Sequence, residues 1–372
     1  MTVGRVDFLR KLMNSNNREF LNQLIDNGFL NGPRIVELDI TTTCNYQCSF
    51  CIDDKVINNK TSFKLEKIIE LIDEMALIGV KGVVLIGGGE PLLYPYFHEV
   101  VERLYNQNIV IGLTTNGSPM DSYIDTIKKY VTWVRISMDA GTSQTHKILK
   151  KPPKEDDFSN ILSSVKVLSD GYKGAIGYSF IVNDDNYTEI EEATRIAKET
   201  GFSYIQFKPL VDQSLKSLSL LKPKIIDIVL KSIEKSKQLE TEDFRVIIND
   251  NLKIVLSNKK ELNVKSYDYC WTQEFRTLIT PSGLYICPYH RGNENKRFGN
   301  LENNTLEEIW DSEERKSLLE VHNPMKHCNF YCIRNDINEF LFSIMNLKEK
   351  GIHVLNHMKE YNAEDVKNCI FI

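Results

Sequence analysis

Residues 35–51 read IVELDITTTCNYQCSFC. An apolar, β-branched run from Ile35 to Ile40 leads directly into three cysteines, Cys44, Cys48 and Cys51. The run has the character of a buried strand. The loop after it offers three thiols within eight residues. Three thiolates complete neither common sulfur-rich metal site. Structural zinc takes four protein ligands in a tetrahedron, and a four-iron cluster takes four cysteines. A four-iron cluster on this triplet would keep one iron open to a small molecule.

Working outward, strand-like and helix-like segments alternate. GVVLIGG (82–88), IVIGLTTNG (109–117), VTWVRISMD (131–139), AIGYSFIVN (175–183) and FSYIQFKPL (202–210) read as further strands. Between them, 62–79, 94–108, 122–130, 157–170 and 187–201 carry apolar residues at helical spacing, the last closed by Gly201. Six βα-type steps of about 25–30 residues predict parallel strands joined by right-handed crossovers. Six steps are too few for a closed eight-stranded barrel, so the expected fold is α/β, a partial (β/α)6 barrel. In such folds the loops at the carboxyl ends of the strands carry the chemistry. The cysteine triplet follows the first strand and GGGEP (87–91) follows the second, both at that end. The glycines let backbone approach a ligand closely, and Glu90 supplies a carboxylate for an ammonium group.

The pattern changes after Pro209. Residues 214–239 read as helix, and two short strands flank Pro281-Ser282-Gly283 as a hairpin. Thr305 and Glu308 form a capping-box signature. Four more cysteines, Cys270, Cys287, Cys328 and Cys332, accompany these elements. Four thiolates fill a zinc site or a four-iron cluster, and the residue types alone leave both open. Cys369 is left over in VKNCIFI and reads as a small buried hydrophobe in a docked tail. The expected organisation is a helical extension (1–33), a core (34–212), a helical linker (213–262), a small α+β domain (263–345) and a tail (346–372).

Composition limits the function classes. The 372-residue chain is 42% hydrophobic and 26% charged, the balance of a globular protein, and long enough for more than one domain. Its net charge is −5 and it has no long basic run, which argues against nucleic-acid binding. Charges interrupt every apolar stretch at the N-terminus, and no run approaches the ~20 apolar residues of a membrane span. The expected setting is the cytoplasm, where the eight cysteines stay reduced and serve metal binding or catalysis.

The C-x3-C-x2-C triplet with Phe50 before its last cysteine, followed by a GGE-type glycine run on the second strand, resembles the radical S-adenosylmethionine (SAM) superfamily. The resemblance covers residues 34 to about 210. It implies a [4Fe-4S] cluster on Cys44, Cys48 and Cys51, with its open iron chelated by the methionine moiety of SAM. It implies reductive cleavage to a 5′-deoxyadenosyl radical that takes hydrogen from an unactivated C–H bond, with a flavodoxin or ferredoxin as electron donor. Backbone at Gly88, Gly89 and Glu90 would meet the SAM amino group. Thr115, Asn116, Ser137 and Asp139 match polar positions toward the ribose or substrate. Phe50, Ile181 and Phe207 would face adenine, although Ile181 and Phe207 also suit a barrel core.

LITPSGLYICPYHRG, FGNLENNTLEEIW and HCNFYC resemble the C-terminal extension called SPASM, or its shorter form, twitch. That implies an auxiliary [4Fe-4S] cluster on Cys270, Cys287, Cys328 and Cys332, able to accept an electron from a substrate radical. His290, Arg291 and Lys208 are candidates for substrate binding or proton transfer; as bland alternatives His290 is a satisfied loop histidine and the other two are surface charges. The expected substrate is a small polyol such as a sugar or aminocyclitol, oxidised at a secondary alcohol. The first alternative is a ribosomally made peptide, whose modifying enzymes often carry an added domain of about 80 residues; 1–33 is shorter. A non-catalytic iron–sulfur or zinc scaffold is the alternative of another class.

Overall fold

The structure is a computed structural model that describes residues 11–211, 221–257, 265–328 and 332–350. Cys369 and the tail beyond residue 350 lie outside these residues, and the first residues of the expected tail instead complete the last described helix. The helices and strands are α1 (Ser15–Asn27), β1 (Ile35–Leu38), α2 (Leu65–Leu77), β2 (Gly82–Leu85), α3 (Phe97–Asn106), β3 (Val110–Thr115), α4 (Ile124–Tyr130), β4 (Trp133–Ser137), α5 (Ser143–Lys150), α6 (Asp157–Ser169), β5 (Ala175–Val182), α7 (Ile190–Thr200) and β6 (Tyr204–Pro209). They continue with α8 (Pro223–Lys237), β7 (Arg245–Ile248), α9 (Asp250–Leu256), β8 (Arg276–Thr280), β9 (Gly283–Tyr285), β10 (Arg297–Gly299), α10 (Leu306–Trp310), α11 (Glu313–Val321), α12 (Pro324–His327) and α13 (Asn335–Glu349).

All strands join one sheet in the order β10-β9-β8-β1-β2-β3-β4-β5-β6-β7. β1 to β7 are parallel, β8 is parallel to β1, and β9 and β10 run antiparallel beyond it. This is an unclosed α/β barrel extended at its first-strand edge by the hairpin of the C-terminal region. The stretch expected to be a helical linker adds a seventh parallel strand, because Val246-Ile247-Ile248 is a short apolar run that finds the free edge of β6.

In-register neighbours of a parallel sheet share a face. One face carries Val36, Leu38, Val83, Leu85, Ile111, Leu113, Val134, Ile136, Tyr178, Phe180, Ile205 and Phe207, all buried in the main core. The helices supply the other half of that core: Ile68, Leu71 and Ile72 of α2, Val100 and Leu104 of α3, and Ile161 and Val165 of α6. The opposite, inner face is polar: Glu37, Thr114, Arg135, Ser137, Ser179, Gln206 and Lys208. Near the amino ends of the strands two rings fill this hollow. A Cβ on Gly112 would stand 2.2 Å from the Trp133 ring, and one on Gly177 would stand 2.2 Å from that of Tyr204. The two glycines make room for a floor of aromatic side chains, with the polar wall rising above it toward the triplet loop.

A second apolar cluster joins Leu21 and Leu24 of α1 to Phe275, Ile337 and Leu341. It docks the last described helix against the first. The hairpin turn at 280–283 and the Thr305–Glu308 capping box both form as their residue types predict.

Candidate metal and cofactor sites

The triplet loop is held from several sides. Cys44 N–H donates to Asn58 Oδ1 at 2.8 Å. Gln47 and Ser49 N–H donate to the carbonyls of Lys150 and Leu149 at the end of α5. The buried Tyr46 hydroxyl donates to Asp157 at 3.0 Å, and Ser118 Oγ donates to the other oxygen of that carboxylate at 3.0 Å. The loop therefore presents three half-exposed thiols on a fixed frame. Burial pushes the thiol of Cys44 up to about 11 and that of Cys51 up to about 12. Without a metal these groups stay protonated; a metal ion is what makes them thiolates. An all-sulfur donor set suits iron–sulfur chemistry.

The glycine run packs beneath this loop. A Cβ on Gly89 would lie 2.4 Å from the Thr43 carbonyl oxygen, and Glu90 N–H donates to that same oxygen at 2.8 Å. Only glycine permits this approach. Glu90 is buried and accepts from Leu92 N–H (3.1 Å), Thr115 Oγ1 (2.6 Å) and Asn116 N–H (2.7 Å). It staples the ends of β2 and β3 together, and burial raises its carboxyl to about 6. Asn116 turns its amide toward Asn45 Oδ1 at 2.8 Å and lies 4.0 Å from Cys44 Sγ.

Asp139, just past β4, adopts φ 54° and is buried. Its carboxylate accepts from Lys150 Nζ at 2.7 Å and from Ile181 N–H at 2.8 Å. Lys150 itself is buried, 5.7 Å from the centroid of the half-buried Phe50 ring. The Asp139 carboxylate outweighs burial and holds its ammonium above the ordinary lysine range, and its place beside Phe50 and against Gln47 makes it the cation beside the triplet. Lys150 was not among the sequence candidates; nothing in KILKK distinguishes it from a surface lysine. Ser137, Ile181 and Lys208 face the hollow from β4, β5 and β6. Phe207 does not: it points to the helices and packs edge-on against Phe180, with centroids 5.4 Å apart. Its neighbour Lys208 takes the inner face, and the period of two forbids both. Phe207 belongs to the core.

The second cysteine set gathers around one cavity lined by Cys270, Cys287, Cys328 and Cys332. Cys332 Sγ accepts from Arg334 N–H at 3.4 Å, and Cys270 Sγ lies 3.2 Å from Thr272 Oγ1. Burial raises the thiols of Cys287, Cys328 and Cys332. Four converging sulfur donors fit a fully ligated cluster. Arg276 and Arg334 also line the cavity, and both pair with Glu37 of β1, Arg334 at 2.9 Å.

Of the catalytic candidates, His290 belongs to this cavity, whereas Arg291 reaches from it to the triplet side. His290 lines the cysteine cavity beside His322, whose Nε2 is 3.4 Å from Cys328 Sγ. Donor atoms of His290, His322 and Cys328 lie within 4.8 Å of one another. Burial lowers these imidazoles to about 4 and about 3, which keeps them neutral near pH 7. Arg291 is not a free surface charge: its guanidinium binds both Asp39, at 2.5 Å, and Asp53, at 2.7 Å. The signal for Glu37 and Asp39 was present in IVELDI, where two acids alternate on one face of an otherwise apolar strand. No helix among the described residues is long and apolar enough to cross a membrane.

Comparison with known proteins agrees with this geometry. Residues 38–205 match the family model of the radical SAM superfamily, and residues 270–333 match that of SPASM, an iron–sulfur cluster-binding domain. A cysteine-type anaerobic sulfatase-maturating enzyme from Clostridium novyi is 24% identical over 365 residues, covering 86% of this chain and 95% of that protein. A GTP 3′,8-cyclase from Helicobacter pylori is 27% identical over 216 residues, 56% of this chain and 65% of that protein. The crystal structure of Streptococcus suis SuiB bound to precursor peptide SuiA superposes with a TM-score of 0.58 at 14% identity, covering 95% of this chain and 80% of that one.

Proposed function

We propose that this chain, which joins a radical SAM core to a SPASM iron–sulfur domain, oxidises a substrate C–H bond by two electrons inside the barrel hollow. When bound, a [4Fe-4S] cluster on Cys44, Cys48 and Cys51 with SAM supplies the 5′-deoxyadenosyl radical, and a cluster on Cys270, Cys287, Cys328 and Cys332 supplies an electron acceptor. The protein's own part is to hold, orient and exclude water. The observation that carries the reading is β1. It runs on into the triplet loop, and its inner-face acid Glu37, with Asp39 just past its end, binds the region that holds the second sulfur-lined cavity. One strand thus fixes both sites against one polar hollow.

The preferred substrate is a small polyol such as a sugar or aminocyclitol, oxidised at a secondary alcohol. What supports it is the lining, where Thr114, Ser137, Ser179 and Gln206 offer hydroxyl and amide groups to a hydroxylated ligand. Lys208 faces the same hollow from β6 and is the side chain on this wall suited to bind the substrate. A second reading, modification of a peptide, is supported by the near full-length similarity to a sulfatase-maturating enzyme and by a neighbour solved with its precursor peptide. A flavodoxin or ferredoxin would deliver the initiating electron.

The test is anaerobic reconstitution followed by dithionite and SAM. Formation of 5′-deoxyadenosine is expected, and its absence overturns the enzymatic reading. A polyol deuterated at its carbinol carbon should pass deuterium to 5′-deoxyadenosine. Transfer only from a labelled peptide would move the substrate to the second reading.

A further inference from the structure

The inner wall formed by β4, β5 and β6 carries more positive charge than its carboxylates balance. Arg135 donates one N–H to Thr114 Oγ1 at 3.2 Å and lies 5.8 Å from the Trp133 ring centroid. Its buried Nε has no hydrogen-bond partner. Lys208 shares the face, and Arg135 is close enough to disfavour its charge. Among the described residues, neither forms a salt bridge. The carboxylate nearest to Lys208 in effect is Asp139, and that one is engaged by Lys150 at 2.7 Å. Glu90 is occupied by its three donors.

A hydroxyl adds to the imbalance. Ser179 is 1% exposed and its Oγ has no partner. It is in register with Ser137 on one side and Gln206 on the other, so it points into the same hollow. Holding two half-buried like charges on one wall and burying an unpaired hydroxyl is costly unless a ligand completes them. The wall remains reachable: along β4, half-exposed Trp133, Arg135 and Ser137 alternate with buried Val134 and Ile136. The cation beside the cysteine triplet is a different one, Lys150. Arg135 stands two residues further down β4 than Ser137, next to the aromatic floor.

We infer that Arg135 and Lys208, with the Ser179 hydroxyl, form an anion subsite that holds a carboxylate or phosphate of the substrate. The inference rests on the reading that the hollow receives the substrate, and it narrows the class from neutral to anionic polyols. A planar guanidinium takes such a group through two parallel hydrogen bonds, and the lysine adds a point charge. The burial that lowers Lys208 to about 7 is the cost that an arriving anion offsets.

Calorimetric titration of the reconstituted, SAM-loaded chain with glucose, glucuronate and glucose 6-phosphate tests this. At least one anionic ligand should bind about tenfold or more tighter than glucose, and the tighter of the two tells a carboxylate from a phosphate. Arg135→Gln and Lys208→Met should each erase most of that preference. Arg135→Lys should restore part of it, which guards against a misfolded variant. Equal affinity for all three ligands, no binding of any, or a preference that survives both substitutions overturns the subsite. The 5′-deoxyadenosine assay stands apart: a chain that cleaves SAM but shows no anion preference loses the subsite and keeps the proposed reaction.

Discussion

Arg291 and Asp39 are 252 residues apart in sequence, yet the guanidinium Nε meets the carboxylate at 2.5 Å inside the protein. The same guanidinium donates to Asp53, two residues past Cys51, while Arg291 itself lies four residues past Cys287. Both sulfur-lined loops are therefore anchored to one buried ion cluster. Arg291→Met leaves the buried Asp39 and the half-buried Asp53 without their cation; burial already raises the Asp39 carboxyl to about 8, so the loss should be about 1–3 kcal/mol. The readout is the denaturant midpoint of the reconstituted chain. Arg291→Lys should recover only part, because an ammonium cannot fork between two carboxylates. A midpoint unchanged by Arg291→Met would mean that the bridge does not form.

The two cysteine sets predict separable metal content. Wild-type chain should carry about eight irons after anaerobic reconstitution, against about four for the Cys44→Ala/Cys48→Ala/Cys51→Ala variant. Replacing Cys270, Cys287, Cys328 and Cys332 by alanine should likewise leave about four. Zinc at the second set, with iron only at the first, would remove the electron acceptor and leave redox-neutral radical chemistry.

Gly89 offers a test that replaces no cysteine. Its alanine Cβ would lie 2.4 Å from the Thr43 carbonyl, one residue before Cys44. Backbone cannot yield cheaply, so the triplet loop should shift, at a cost of about 1–3 kcal/mol. Gly89→Ala should lower iron at the first site while leaving about four irons at the second. Full iron at both would show that the loop absorbs the extra carbon.

How much of this was legible depends on the range of the interaction. The order of the first six strands, the triplet at a carboxyl strand end and the Thr305 cap are local patterns and formed as read, whereas helix α5 and strand β7 were not read from the sequence. Phe207 failed for a reason also available locally: Ile205-Gln206-Phe207-Lys208 alternates, so Phe207 and Lys208 cannot share a face. The pairing of Glu37 with Arg276 and Arg334 spans 239 and 297 residues, and no periodicity reports a partner at that range. Nothing in its own sequence neighbourhood marks His322, because its relation to Cys328 depends on how α11 and α12 turn the chain back.

Lys208 gives the pH dependence with a definite sign. Its folded pKa lies near 7, below the ordinary lysine value of about 10.4. Burial is the first cause, and the charges of Arg135 and Lys150 add to it. Between these values the unfolded chain holds the proton and the folded chain does not. Stability therefore rises with pH above about 7, by at most about 1.4 kcal/mol per unit for this group. Below pH 7 both states are protonated and the full burial cost is present. Between pH 7 and 9 the Lys208 contribution amounts to about 3 kcal/mol at most. Lys208→Met removes this contribution, so the variant should be the more stable chain at pH 7, with the gap closing toward pH 9. Denaturant unfolding of both reconstituted chains at pH 7, 8 and 9 measures the gap, and other titrating groups cancel in the difference. A constant gap would place Lys208 in water rather than in the barrel wall, and the anion subsite would lose one of its two cations.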